Sequence, residues 1–158
     1  MKRITSGRAL QVLLVVLIVI QFFRIDKTNP PVKTEMDFIN ITKPSPEVTQ
    51  ILKTSCYDCH SHESVYPWYT NVAPVSWWIK SHINDARRHL NFSEWGSYSN
   101  KKADHKLEEC IEMTDAGDMP LPSYTLIHSN ATLSKQQQHA LVTWFKSLRT
   151  FESKAEKH

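Results

Sequence analysis

Residues 55–60 read SCYDCH, two cysteines two residues apart with a histidine directly after the second. Three chemistries use such a stretch: a haem takes both thiols and the histidine, a zinc ion takes them as part of a larger ligand set, and a redox dithiol uses the cysteines alone. Each makes a different demand on the rest of the chain. A closed zinc site wants four ligands; Cys56, Cys59 and either His60 or His62 supply three, and no second close pair of Cys or His stands at finger-like spacing. A thioredoxin-like dithiol belongs near a strand-to-helix junction, and no alternating strand precedes residue 56. Covalent haem attachment uses every letter of the motif. The two thiols reach the two vinyl groups on one porphyrin edge, and the adjacent histidine is held under the iron as its proximal ligand.

The chain has 158 residues, the size of one domain with accessories. Aromatic residues make up 10%, yet there are only three glycines, which disfavours a sheet fold built on many tight turns. An all-α fold is expected. The Cys-x-x-Cys-His motif occurs once and nothing repeats, so one site and one domain are the economical count. Residues 1–8 carry Lys2, Arg3 and Arg8 without an acid, whereas residues 47–158 hold twelve bases against thirteen acids, a net of −1. The basicity belongs to the N-terminal end and gives no footprint for nucleic-acid binding by the domain.

After those bases comes ALQVLLVVLIVIQFF, residues 9–23, with no charge inside it. A span takes about 20 residues, so this stretch suffices only if its flanks are counted and Arg8 and Arg24 snorkel. No small-x-small cleavage pattern follows, which favours an uncleaved signal anchor over residues 1–25. The positive-inside bias would keep Lys2, Arg3 and Arg8 in the cytoplasm. The expected location is then the cytoplasmic (inner) membrane, single-pass, with the domain on the periplasmic side. Residues 26–45 lie in a proline-rich, mixed-charge stretch and read as a tether.

Four amphipathic helices are expected in residues 46–150, with 151–158 a disordered tail. Ser45 caps a helix that begins at Pro46, runs through Val48, Ile51 and Leu52, and ends close to Cys56. Residues 76–90 put Trp78, Ile79, His82, Ile83, Ala86 and Leu90 on one face, with Arg87 and Arg88 turned away. Residues 102–114 carry a stripe of Ala103, Leu107, Cys110 and Ile111, with Gly117 just beyond. The last helix opens on a Ser134–Gln137 capping box and buries Leu141, Trp144 and Phe145. Cys110 reads as a core residue.

Three side chains are candidates for the second axial position on the iron: Met119, in a loop stiffened by Pro120 and Pro122, His82 and His128. The soft thioether of Met119 makes it the preferred one. A carbonyl of Pro67 or Pro74 is expected to orient His60 through its other ring nitrogen. Some of the five tryptophans should wall the haem. The remaining histidines, His62 among them, read as surface residues.

The stretches SCYDCHSHESVYPWY, APVSWWIKSHINDARRHLNFSEW and DMPLPSYTLIH resemble the bacterial haem-binding domain family of small exported proteins across about residues 46–148. The motif, the later Met-Pro and the closing helix are also similar to class I cytochrome c. The resemblance implies one covalent haem c on Cys56, Cys59 and His60, with Met119 completing the iron. The expected function is one-electron transport with redox partner proteins of the cell envelope, rather than catalysis. The alternatives are a gas or peroxide sensor, or a small haem enzyme with an open sixth position, and a zinc-binding module.

Overall fold

The computed structural model describes residues 6–155, with side chains through Arg149. It is helical, with no strand among the described residues. The helices are α1 (Ser6–Ile20), α2 (Phe38–Thr42), α3 (Pro46–Ser55), α4 (Tyr57–His60), α5 (Val75–His89), α6 (Asn100–Ala116), α7 (Pro122–Thr125) and α8 (Lys135–Ala155). Short 3-10 turns at Thr34–Met36, Trp68–Asn71, Phe92–Ser97 and Ser129–Ala131 join them.

Local signals set the ends of these helices. Ser45 Oγ accepts the Val48 N–H at 3.3 Å, with Pro46 at the first helical position. Ser134 and Gln137 exchange bonds of 2.9 and 3.2 Å, the reciprocal capping box. Gly117 closes α6 at φ 78°, the left-handed conformation that a residue without Cβ adopts freely. α6 lies along α8, and Arg149 clamps the pair, donating to both oxygens of Asp104 at 2.7 and 3.0 Å.

The core is aromatic. Phe38, fully buried, stacks on Phe92 at 4.9 Å and meets Trp95 at 4.5 Å and Trp144 at 5.4 Å. Phe92 stacks in turn on Tyr57 at 5.2 Å. The Tyr57 hydroxyl donates to the buried carboxylate of Asp37, which also caps α2 through the Ile39 N–H at 3.1 Å. Asp37 and Phe38 lie in the stretch read as a tether, so that stretch brings a ring to the centre of the core. Its earlier part is bonded to the domain as well: Asn29 donates to Ser64 O at 2.8 Å and receives Arg87 Nη2 at 2.9 Å. At the other end, α8 continues to Ala155, into the segment read as a tail, whose residues 156–158 lie outside the described ones.

Gly96 makes the close approach of this N-terminal segment possible. A Cβ there would lie 2.8 Å from Met36 Sδ and 3.1 Å from Met36 Cα. Gly96→Ala is expected to cost about 1–3 kcal/mol as an overpacking substitution, measurable as a lower urea midpoint at unchanged slope.

The expected transmembrane helix is corrected by the structure. α1 has 15 residues, about 22 Å at 1.5 Å per residue, short of the roughly 30 Å hydrocarbon layer. Among the described residues no helix is long and apolar enough to cross a membrane. Just past its end the chain is bonded to the domain. The Gln21 side chain bonds both the N–H and the carbonyl of Ala73 at 3.0 Å, and Phe23 O accepts from Trp77 Nε1 at 2.8 Å. Among the described residues the single-pass inner-membrane placement with a periplasmic domain therefore has no spanning helix to rest on. Of the three bases in its orientation argument, Lys2 and Arg3 lie outside the described residues.

Candidate functional site

The motif occupies one helical turn. Cys56 ends α3, its N–H on Leu52 O at 2.9 Å, and its own carbonyl accepts from Cys59 and His60 at 3.2 and 3.0 Å to start α4. The two residues between the cysteines each tie this turn to a different part of the fold. Tyr57 enters the core against Phe92 and Asp37. Asp58 Oδ2 accepts the Tyr124 hydroxyl of α7 at 2.6 Å. Just past His60, Arg87 Nε donates to Ser61 O at 2.7 Å, so this arginine braces the turn from α5 instead of facing away.

His60 Nδ1 bonds Leu90 O at 3.2 Å. Burial holds the imidazole below its usual range, with the Leu90 and Ala86 carbonyls opposing the shift and His89 adding to it. The ring is neutral at pH 7, and with Nδ1 committed, Nε2 carries the lone pair a metal would take. The orienting carbonyl is thus Leu90, not Pro67 or Pro74. Pro67 O is occupied by the Thr70 N–H and hydroxyl, and Pro74 O by the N–H groups of Trp77 and Trp78, because both prolines start helical turns. Leu90 is free to serve because the carbonyls ending a helix have no intrahelical partner.

A cleft of about 480 Å³ opens beside His60, within the usual range for cofactor sites. Cys56, Met119, Cys110, Met113, Leu121 and Phe145 are among its walls. The apolar stripe of α5 explains why it exists. His82 and Ala86, one turn apart, line it and are only partly buried, with core residue Leu90 at its edge, and Trp78, one turn earlier, lines an adjoining cleft of about 70 Å³. The smaller cleft holds Cys59, Asp58, Tyr69, Tyr124 and His128, and shares His82 and Leu121 with the larger. Of the five tryptophans, Trp78 is the one on these walls; Trp95 is buried in the core and Trp68 is 76% exposed. Burial pushes the Cys56 thiol up to about 12, with Cys59 adding to it, and the Cys59 thiol up to about 11, with Asp58 adding and Arg87 opposing. Both cysteines are therefore neutral thiols at pH 7.

His60, Cys56, Met119 and His82 thus share one cleft, while Cys59 and His128 face the adjoining one. His82 Nδ1 bonds Trp78 O at 2.9 Å, which leaves its Nε2 uncommitted by that bond. His128 Nε2 meets the Tyr69 hydroxyl at 2.5 Å, and its ring stacks on Tyr124 at 4.3 Å. His62, read as a surface residue, is half-buried and bonded to Asn91. Among the described residues no three His, Cys, Asp or Glu side chains gather as a metal-ion site. Of the residues weighed for zinc, His62 is bonded to Asn91.

The donor set fits a haem better than a bare ion: one neutral imidazole and a thioether line the same cleft, together with Leu90, Leu121, Phe92, Phe145 and Ala86 and with charged side chains such as Lys106 and Glu109. A cleft with these donors is one that a haem would suit. Residues 15–147 match the family model of the haem-binding domain, and the chain belongs to that family. Comparisons with curated proteins and with solved structures find no match, so the similarity to class I cytochrome c expected from the sequence is not shown.

Proposed function

We propose that the chain is a c-type haem protein that passes single electrons between redox partner proteins, with one haem held through Cys56, Cys59 and His60 and capped by Met119. The observation that carries this reading is the presence of His60, oriented by Leu90 O, in one cleft with Cys56 and Met119. Once bound, haem supplies an iron that alternates between ferric and ferrous states. Cys56 and Cys59 would hold the group covalently, each S–H adding across a vinyl double bond, sulfur to one carbon and hydrogen to the other, with no oxidant or reductant consumed. Burial that raises both thiols disfavours their use as thiolate ligands. His60 would hold the iron through Nε2, while Leu90 O keeps the ring oriented and raises its basicity. Met119, a soft neutral donor, favours the ferrous state and raises the reduction potential.

Met119→Ala tests the sixth position. Wild-type ferric protein should show a sulfur-to-iron charge-transfer band that the variant lacks, and the reduced variant should bind carbon monoxide rapidly where the wild type binds it slowly. Rapid binding by the wild type would assign an open sixth position, as a gas or peroxide sensor requires. Loss of the native spectrum in His82→Ala, but not in Met119→Ala, would move the ligand to His82.

A further inference from the structure

We propose that Asp58 and Tyr124 form a link that sets the reach of Met119 into the cleft, making both of them positioning residues for the sixth coordination site. The inference rests on the reading of Met119 as that ligand.

Met119 lies between two fixed points. On its N-terminal side the end of α6 folds back, so that Asp118 and Met119 both donate their N–H to Met113 O, at 3.0 and 3.1 Å. On its C-terminal side the chain runs through Pro120, Leu121 and Pro122 into α7, and two prolines in three positions leave little freedom to bend. Such a strut holds its ligand only if its far end is held too. The Tyr124 hydroxyl supplies that hold by donating to Asp58 Oδ2 at 2.6 Å across 66 residues of sequence.

The acceptor is itself immobilised. Asp58 Oδ1 takes the Val65 N–H at 3.1 Å, and Asp58 O accepts the Ser64 hydroxyl. From the other side the Tyr124 ring is stacked on His128 at 16° between planes, and His128 is bonded to Tyr69. Asp58 also sits inside the turn that carries Cys59 and His60. The segment offering the proximal ligand is thereby joined to the segment offering the distal one by a single bond to a charged acceptor, a stronger kind than a neutral pair. Without the bond, α7 is held there through the stacking of Tyr124 on His128, and Met119 must be fixed at a greater entropic cost each time it ligates.

The test uses the haem-loaded full chain with Tyr124→Phe, Asp58→Asn and Met119→Ala side by side. Intact mass and a pyridine haemochrome spectrum should report unchanged haem content in the first two. Their charge-transfer band should weaken, and external imidazole should displace the sixth ligand at about tenfold lower concentration than in wild type, the scale of one lost hydrogen bond. Asp58→Asn, which keeps an acceptor oxygen for the phenol, should show the smaller effect, and the double variant should be no weaker than Tyr124→Phe alone. If Met119→Ala removes the band while Tyr124→Phe and Asp58→Asn leave band and imidazole affinity as in wild type, the link is refuted and the ligand stands. If Met119→Ala itself changes neither, the ligand assignment fails first.

Discussion

Replacing Cys56 and Cys59 together by serine is expected to convert a haem that survives denaturation and acid–acetone extraction into one that is lost in both. The intact mass of the variant should be that of the polypeptide alone, where the wild type carries the mass of one haem in addition. The reason lies in the turn between α3 and α4. The cysteines stand three apart on one helical turn, a spacing that puts their side chains next to each other, as attachment to one haem would require. The serine hydroxyls keep the size and burial of that turn but cannot form thioethers. A haem then held only by His60, Met119 and apolar contact dissociates on dilution, and the stability it lends the fold becomes concentration-dependent, about 4 kcal/mol at a thousandfold excess over Kd. Each single serine variant retains one thioether and should remain coloured under denaturation. A double variant that keeps its haem mass after extraction would end the covalent reading and leave the haem-binding fold intact.

Phe38→Ala is expected to give the largest loss of stability among the substitutions considered, about 3–5 kcal/mol. The ring has no exposure and touches Phe92, Trp95, Trp144 and Phe145, with centroids 4.5 to 6.3 Å away. Its removal leaves a cavity bounded by rigid rings that cannot collapse into it. Against a usual total of about 5–15 kcal/mol, this brings the domain close to unfolding at room temperature. Because Phe92 also lines the cleft and stacks on Tyr57 beside the cysteines, haem retention should fall with stability. The check is a urea titration with and without bound haem. A midpoint within 0.5 M of wild type, on the order of 1 kcal/mol at an ordinary urea slope, would show that the N-terminal segment is peripheral after all.

Much of the helical framework was legible because its signals are local. Ser45 before Pro46, Ser134 with Gln137 and Gly117 after α6 each act within four residues of themselves, and each is found in its expected role. The haem-binding reading was equally local, since Cys56, Cys59 and His60 share one helical turn. The stripe on α5 was legible as apolar but not as a cleft wall. A protein core and a porphyrin face ask for the same side chains, and only the missing protein cover over His82 and Ala86 tells them apart.

Where partners lie far apart in sequence, periodicity and composition were silent or misleading. The proline-rich stretch looked like a spacer because its composition disfavours regular structure, yet Phe38 needs only one turn of helix to deliver its ring to the core. An apolar run suggested a membrane span, but α1 is only 15 residues long and the chain just beyond it is bonded to the domain through Gln21 and Ala73, 52 residues away. Helices and the attachment motif follow from neighbours whose geometry the backbone already dictates. Leu90 as the partner of His60, and Tyr124 as that of Asp58, exist only once packing has brought separate helices within hydrogen-bond range, because a bond across 30 or 66 residues costs chain entropy that no short pattern can reveal.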